Sequence, residues 1–187
     1  MIDDILIFDD IVDKKYQLEI IDKVLGKDFD WYFEKDISVA DNNTQQRPGF
    51  SHYFHKKNGD ISKYGNLSLP ILNEACDKIN FKRKNIIQGR SFLQLPINVK
   101  DNHMVDSPHI DVYEKHLVIL YYVLDSDGDT IIYGDKYESE IPNFKELKEV
   151  KRIKPKQGRV VMFNGLHWHT ACQPEKNVRC VINYDVE

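Results

Sequence analysis

A chain of 187 residues with 41% hydrophobic and 30% charged content can bury one proper core and has the texture of an ordinary globular domain. A net charge of -4 gives no indication of nucleic acid as a partner, and three cysteines, Cys76, Cys172 and Cys180, show no close pairing on which a disulfide framework could rest. No apolar run reaches bilayer length, and the opening "MIDDILIFDDIVDKK" carries acids where a signal peptide carries bases, so a cytoplasmic protein is expected, from a bacterium or a virus-infected host.

The first predicted element is a helix in "IVDKKYQLEIIDKVLG". Tyr16, Ile20, Ile21, Val24 and Leu25 recur at three- and four-residue steps, with Asp10 as N-cap and Gly26 as stop. A shorter helix follows in "LPILNEACDKIN", with Leu69, Leu72 and Cys76 on one side. Between them, "DISVADNNTQQRPGFSHYFHKKNGDISKYGN" is polar and turn-rich and receives no assignment. Long irregular stretches of this kind often serve as lids or substrate loops.

From Asn85 the texture changes. "IIQGRSFLQLPINV", "SPHIDVY", "HLVILYYVL", "DTIIYGD", "GRVVMFNG" and "RCVINYDV" are short runs rich in β-branched and aromatic residues, and read as strands. Helices followed by strands predict a mostly β fold, an antiparallel sandwich or barrel with the helices packed on one outer face. No repeat or composition shift divides the chain, so one domain is expected over residues 1–187, with helical support at about 1–84 and a β core at about 85–187.

Two connections carry charge without an obvious use. "DSDGDT" resembles a calcium loop, but Thr130 and Lys136 stand where an EF-hand needs glycine and glutamate, and a hairpin turn on Asp127-Gly128 accounts for its acids. "IPNFKELKEVKRIKPKQG" offers a helical turn around Phe144 to Val150 and then a basic stretch, read as a solvated connection or as a contact for an acidic substrate or nucleic acid.

Chemistry gathers in two places. In an extended "SPHIDVY", His109 and Asp111 face the same way, which puts two metal-type ligands on one spot. In "GRVVMFNGLHWHTACQPEKNVRCVINYDV", a strand from Arg159 to Phe163 breaks at Asn164-Gly165, His167 and His169 follow, and Arg179 opens the last strand. His167 and His169 share a face if the segment is extended, so local geometry leaves either as the third ligand. Two imidazoles and a carboxylate suit ferrous iron with open coordination positions.

The region from Arg90 to Glu187 resembles the iron(II)- and 2-oxoglutarate-dependent oxygenase superfamily, in particular its prolyl 4-hydroxylase-like branch. The motifs that carry the likeness are "HID", "LYYVLDSDGDTIIY", "KQGRVVMFNGLHWHTACQP" and "VRCVINY". The resemblance implies a double-stranded β-helix, a distorted jelly roll with the metal at its open end. It implies His109, Asp111 and His169 as ligands of Fe(II), the last from its place six residues after Phe163, which leaves His167 as a pocket residue. It further implies Arg179 as the clamp on the far carboxylate of 2-oxoglutarate, with Tyr122 offering a phenol to the same group and Thr170 and Asn98 as weaker assistants. The activity implied is hydroxylation of an unactivated C–H bond, consuming O2 and 2-oxoglutarate and releasing succinate and CO2, with ascorbate as an accessory. The implied substrate is a prolyl or other peptidyl residue.

Other readings stay open at this point. A cupin-like jelly roll could keep the metal, zinc included, without turnover. The same chemistry could act on a free amino acid, a nucleobase or a small metabolite. The segments Ala40 to Gly65 and Lys145 to Lys156 are expected to decide the substrate, and His103 to line the substrate mouth. Trp168 either packs on the pocket or reaches the substrate. His52, His55 and His116 are expected to be surface or packing residues, Arg159 to cap a turn, and Cys180 to be a small buried strand residue.

Overall fold

The computed structural model describes residues 2–37, 46–98 and 105–187. Its elements, in chain order, are β1 (Leu6–Phe8), α1 (Lys14–Val24), β2 (Tyr32–Glu34), β3 (Gly49–His55), α2 (Leu69–Lys78), β4 (Ile86–Gln94), β5 (Leu117–Tyr122), β6 (Thr130–Lys136), a 3-10 turn at Phe144–Glu146, β7 (Glu149–Ile153), β8 (Val160–Asn164), β9 (His167–Ala171) and β10 (Arg179–Val186). The described residues form a mostly β fold with two α-helices. Among the described residues no helix is long and apolar enough to cross a membrane. The three cysteines are buried and free.

The strands form a seven-stranded sheet in the order β1-β8-β5-β10-β4-β3-β2 and a three-stranded sheet in the order β7-β6-β9. Strand β5 shows how the layers join. Its odd positions Leu117, Ile119 and Tyr121 share a core with Ile20 and Val24 of α1 and Ile71, Leu72, Ala75 and Cys76 of α2. Its even positions Val118, Leu120 and Tyr122 pack with Ile132, Ile153, Phe163 and Val181, between the two sheets. Covered on both faces, "LVILYY" has no polar alternation to display. Each aliphatic side chain so buried contributes about 1.5–3 kcal/mol.

Helix α1 starts later than expected. Its cap is Asp13, in extended backbone, whose carboxylate accepts the Tyr16 N–H at 2.9 Å. Asp10 instead has φ 52, a left-handed conformation that cannot lead into a helix, and its carboxylate accepts from the Gln17 amide. The helix stops at Val24 with Leu25 as its cap, one residue before Gly26.

The N-terminal part is more than helical support, because β1, β2 and β3 all join the large sheet. Strand β3 arises within the unassigned polar segment, where Ser51, His52 and His55 interrupt the apolar pattern although all three are buried. Strand β7 runs through the stretch read as a solvated connection. Its first four residues are exposed, and its charges suit the edge of a sheet.

Two further expectations change. Strands β5 and β6 lie in different sheets, so Asp127-Gly128 sits in a crossover between sheets and not in a hairpin turn. "SPHIDVY" forms no strand, only an isolated bridge from His109 to His169.

Candidate metal centre and its cavity

The bridge brings the two histidines together. His109 N–H donates to the His169 carbonyl at 2.9 Å and His169 N–H donates to the His109 carbonyl at 3.0 Å. The imidazole centroids are consequently 4.7 Å apart. Asp111, at a bend two residues on, places Oδ1 3.9 Å from His109 Nε2 and Oδ2 3.5 Å from His169 Nε2. One ligand atom from each of His109, Asp111 and His169 lies within 4.8 Å of the others.

Hydrogen bonding sets the rings for coordination. Nδ1 of His109 faces the Ser107 carbonyl at 3.2 Å, and Nδ1 of His169 faces the His167 carbonyl at 3.0 Å. A carbonyl can only accept, so Nδ1 carries the proton when the ring is neutral, and the Nε2 lone pair is left for a metal. Burial, helped by the neighbouring His169, pushes His109 down to about 4 and keeps it neutral. Burial would raise Asp111, but the Arg90 guanidinium and the two imidazoles outweigh it and hold the carboxyl well below its usual range. His169 is raised: burial lowers it, and its contact with Asp111 more than compensates.

Arg179 opens β10 and is buried in the same cavity. Nε donates to the Gly128 carbonyl, one terminal nitrogen to Gln94 Oε1 and the other to Thr130 Oγ1, each at 2.9 Å. A guanidinium has five N–H groups, so two remain for a ligand. The loop before Arg179 is organised by "DSDGDT". The Asp127 carboxylate accepts the backbone N–H groups of Glu175, Lys176 and Asn177 at 3.0–3.1 Å. Gly128 has to be glycine, since a Cβ there would lie 2.8 Å from the Cys172 carbonyl oxygen and 2.9 Å from Arg179 Cδ.

A cavity of about 300 Å³ is lined by the three candidate ligands, Arg179, Thr130, Arg90, Gln94 and Asn183, with Val118, Leu120, Phe163, Val181 and Phe92 as apolar walls. Thr170 also lines it, with Oγ1 donating to the Asp106 carbonyl at 2.6 Å. Tyr122 does not line it: the ring is fully buried and its hydroxyl donates to Thr130 Oγ1 at 2.7 Å. Having accepted from both Tyr122 and Arg179, the Thr130 hydroxyl keeps its own proton to donate.

Most of the remaining sequence expectations fall outside this cavity. His167 stands apart from the trio with Nδ1 2.8 Å from the Tyr133 carbonyl. Trp168 is buried against Tyr137 and Phe144, and Asn98 is exposed; neither lines the cavity. His52, His55 and His116 are buried packing residues. Arg159 ties the Lys154 carbonyl to Asp9. None of Lys145 to Lys156 lines the cavity, whereas Tyr53 of the earlier segment does. His103 and residues 40–45 lie outside the described residues.

Arg90, Gln94, Thr130 and Asn183 were missed from sequence. Their signal is polar residues at alternate positions of otherwise apolar strands: Gln88, Arg90 and Gln94 in β4, and Arg179, Asn183 and Asp185 in β10.

No family model and no curated protein matches the sequence. Solved structures do. An oxidoreductase of the 2OG-Fe(II) oxygenase family from Burkholderia pseudomallei aligns over 98% of this chain and 84% of its own, with a TM-score of 0.67 at 12% identity. A prolyl hydroxylase from Trichoplax adhaerens, in complex with a peptide fragment of the hypoxia inducible factor oxygen degradation domain, aligns over 97% and 82%, with a TM-score of 0.65 at 12% identity. A viral collagen prolyl hydroxylase from Paramecium Bursaria Chlorella virus-1, in complex with 2OG, aligns over 97% and 94%, with a TM-score of 0.60 at 10% identity. The chain has the fold of the 2-oxoglutarate–iron(II) oxygenases.

Proposed function

We propose that this chain is an Fe(II)- and 2-oxoglutarate-dependent dioxygenase that hydroxylates an unactivated C–H bond. One observation carries the reading. Three metal-type donors from two remote parts of the chain converge, and the cavity they line also holds a buried guanidinium with N–H groups to spare. The fold supports it. The two sheets and the helical layer are read as a double-stranded β-helix with helices on one outer face, in a single domain over 1–187.

The donor set fits ferrous iron. The His109 Nε2 lone pair is available, and that of His169 becomes so once the ring gives up the proton its contact with Asp111 favours. The carboxylate is ionised, and two imidazoles with one carboxylate leave open positions for a chelating anion. His109, Asp111 and His169 would hold the metal, and Arg179 the distal carboxylate of 2-oxoglutarate. When bound, iron and the keto acid supply the oxidising chemistry, with O2 consumed, succinate and CO2 released, and ascorbate as an accessory reductant. The chain's own residues do the rest. Arg179 contributes a permanent charge, roughly 1.5–3 kcal/mol per charge-assisted hydrogen bond. Thr130 offers its hydroxyl proton beside that charge. Tyr122 acts through Thr130, whose oxygen it holds in place. Val118, Leu120, Phe163 and Val181 keep water from the reacting centre.

The substrate is read as a prolyl or other peptidyl residue, supported by the two prolyl hydroxylases of the same fold. Free amino acids, nucleobases and small metabolites are the competing class. A cytoplasmic setting fits three buried free thiols. A metal-holding module without turnover has no use for spare guanidinium donors in its cavity. Oxygen- and iron-dependent release of succinate from 2-oxoglutarate tests the enzyme reading. A gain of one oxygen atom in lysate peptides, against nucleosides and metabolites, tests the substrate.

A further inference from the structure

Arg90 lies in β4 directly opposite Asn183 of β10. The two donate to different oxygens of the same carboxylate. Arg90 Nη2 reaches Asp111 Oδ1 at 2.5 Å, and Asn183 Nδ2 reaches Asp111 Oδ2 at 2.9 Å. Arg90 is itself held from behind. The same Nη2 lies 3.4 Å from Oδ2 of the fully buried Asp185, and its guanidinium carbon lies 5.2 Å from the Phe92 ring centre. Asp185 is in turn fixed by the Gln88 amide at 2.6 Å. Four polar side chains from two paired strands therefore converge behind one carboxylate.

We propose that Arg90 and Asn183 are a positioning pair for the metal site, anchored through Asp185. The inference rests on reading His109, Asp111 and His169 as that site. An ionised carboxylate offers about four lone-pair positions. One guanidinium and one amide occupy a position on each oxygen and fix the carboxylate plane against rotation. The lone pairs facing the two Nε2 atoms stay open. Asp111 comes from a bend and not from a strand, so its own backbone gives it little rigidity, and the rigidity is supplied from β4 and β10. The Arg90 charge also opposes that of Asp111, which leaves a bound dication with more of its own charge to place on an anionic ligand. Lysine in place of Arg90 keeps that charge but lacks the planar fork.

The test is titration of the full-length protein with Co(II), read by visible absorption, for wild type, Arg90→Lys, Arg90→Met, Asn183→Ala and Asp185→Asn. Thermal unfolding of the metal-free proteins runs alongside. The expected result is about 10- to 100-fold weaker cobalt binding for Arg90→Met and Asn183→Ala, with a changed band shape. Arg90→Lys recovers part of the affinity, and Asp185→Asn, which touches no ligand, weakens binding several-fold. A purely structural role would lower the unfolding temperature while the folded protein kept wild-type affinity and spectrum; that result overturns the proposal. If Arg90→Met does not fold, Asn183→Ala and Arg90→Lys decide by the same criteria. Wild type that binds no cobalt overturns the pair and the metal site together. Variants that lose cobalt as expected, in a protein that never takes up 2-oxoglutarate, leave the pair standing and remove the oxygenase reading.

Discussion

His109 and His169, remote in sequence, exchange both backbone hydrogen bonds at 2.9 and 3.0 Å, which fixes their imidazole centroids 4.7 Å apart. The proposed metal site is thus built into backbone pairing. Replacing His169 by Ala should leave that bridge intact, since it is made by main chain, and remove one metal donor. The expected outcome is a folded protein whose metal binding falls by more than the roughly 10- to 100-fold that loss of a ligand's outer hydrogen-bond partner costs. Circular dichroism and metal analysis check both halves.

Asp111 behaves differently, because it also pairs with Arg90 in a buried setting. Asp111→Ala leaves Arg90 with only its longer contact to Asp185 and should destabilise the metal-free fold, by less than the about 3–5 kcal/mol usual for a buried charge left wholly without a partner. His169→Ala should not. Chemical denaturation of the two metal-free variants gives the comparison.

The sharpest contrast within the cavity is between Thr130 and Tyr122. Thr130→Val keeps the shape but deprives both the Tyr122 hydroxyl and an Arg179 N–H of their acceptor. A loss of about 1–3 kcal/mol in stability is expected for each buried donor left unpaired, with weaker 2-oxoglutarate binding. Tyr122→Phe removes only one donor and should cost about 1 kcal/mol, with a smaller effect on the keto acid. If Tyr122→Phe proves the more damaging for 2-oxoglutarate, the phenol contacts it directly.

Arg179→Gln should weaken 2-oxoglutarate roughly 10- to 100-fold, corresponding to about 1.5–3 kcal/mol for one lost charge-assisted contact. Metal affinity should change little. Isothermal titration with each ligand separates the two.

Asp185 gives a pH signature. Burial first, then the nearby Asp111 charge, pushes it up to about 7, with Arg90 opposing. A carboxyl raised in the folded state contributes stability that is full below the unfolded value near 4 and is lost as pH rises through about 7. Metal-free Asp185→Asn, which cannot ionise, should therefore gain on wild type progressively from pH 4 to 7 and level off above. Unfolding free energies across that range check the sign.

Much of this was legible in the sequence because it depends on local periodicity. The helices in "LEIIDKVL" and "LPILNEACDK" repeat at helical spacing, and "LVILYY" and "VVMF" are short runs whose β-branched and aromatic content and flanking turn residues read as buried strands. His109 and Asp111 could be paired from their alternation in an extended segment, whereas the choice of His169 over His167 and the role of Arg179 came from the resemblance to the oxygenase family. The cap was read as Asp10, where the structure has Asp13, because the left-handed φ of Asp10 leaves no trace in composition. Strands β2 and β7 escaped because most of their residues are exposed, and β3 because Ser51, His52 and His55 break its apolar pattern although they are buried. Thr130 was missed as the acceptor for Tyr122 because the crossover between sheets resembles a hairpin turn in one dimension.

The central claim is that His109, Asp111 and His169 hold iron while Arg179 holds the keto acid beside it. Its most direct test is the visible spectrum of the protein mixed with Fe(II) and 2-oxoglutarate in the absence of oxygen. A charge-transfer band that requires both additions, disappears in His169→Ala and needs more keto acid in Arg179→Gln is the expected result. Metal-loaded wild-type protein that gives no such band at saturating 2-oxoglutarate would contradict the account.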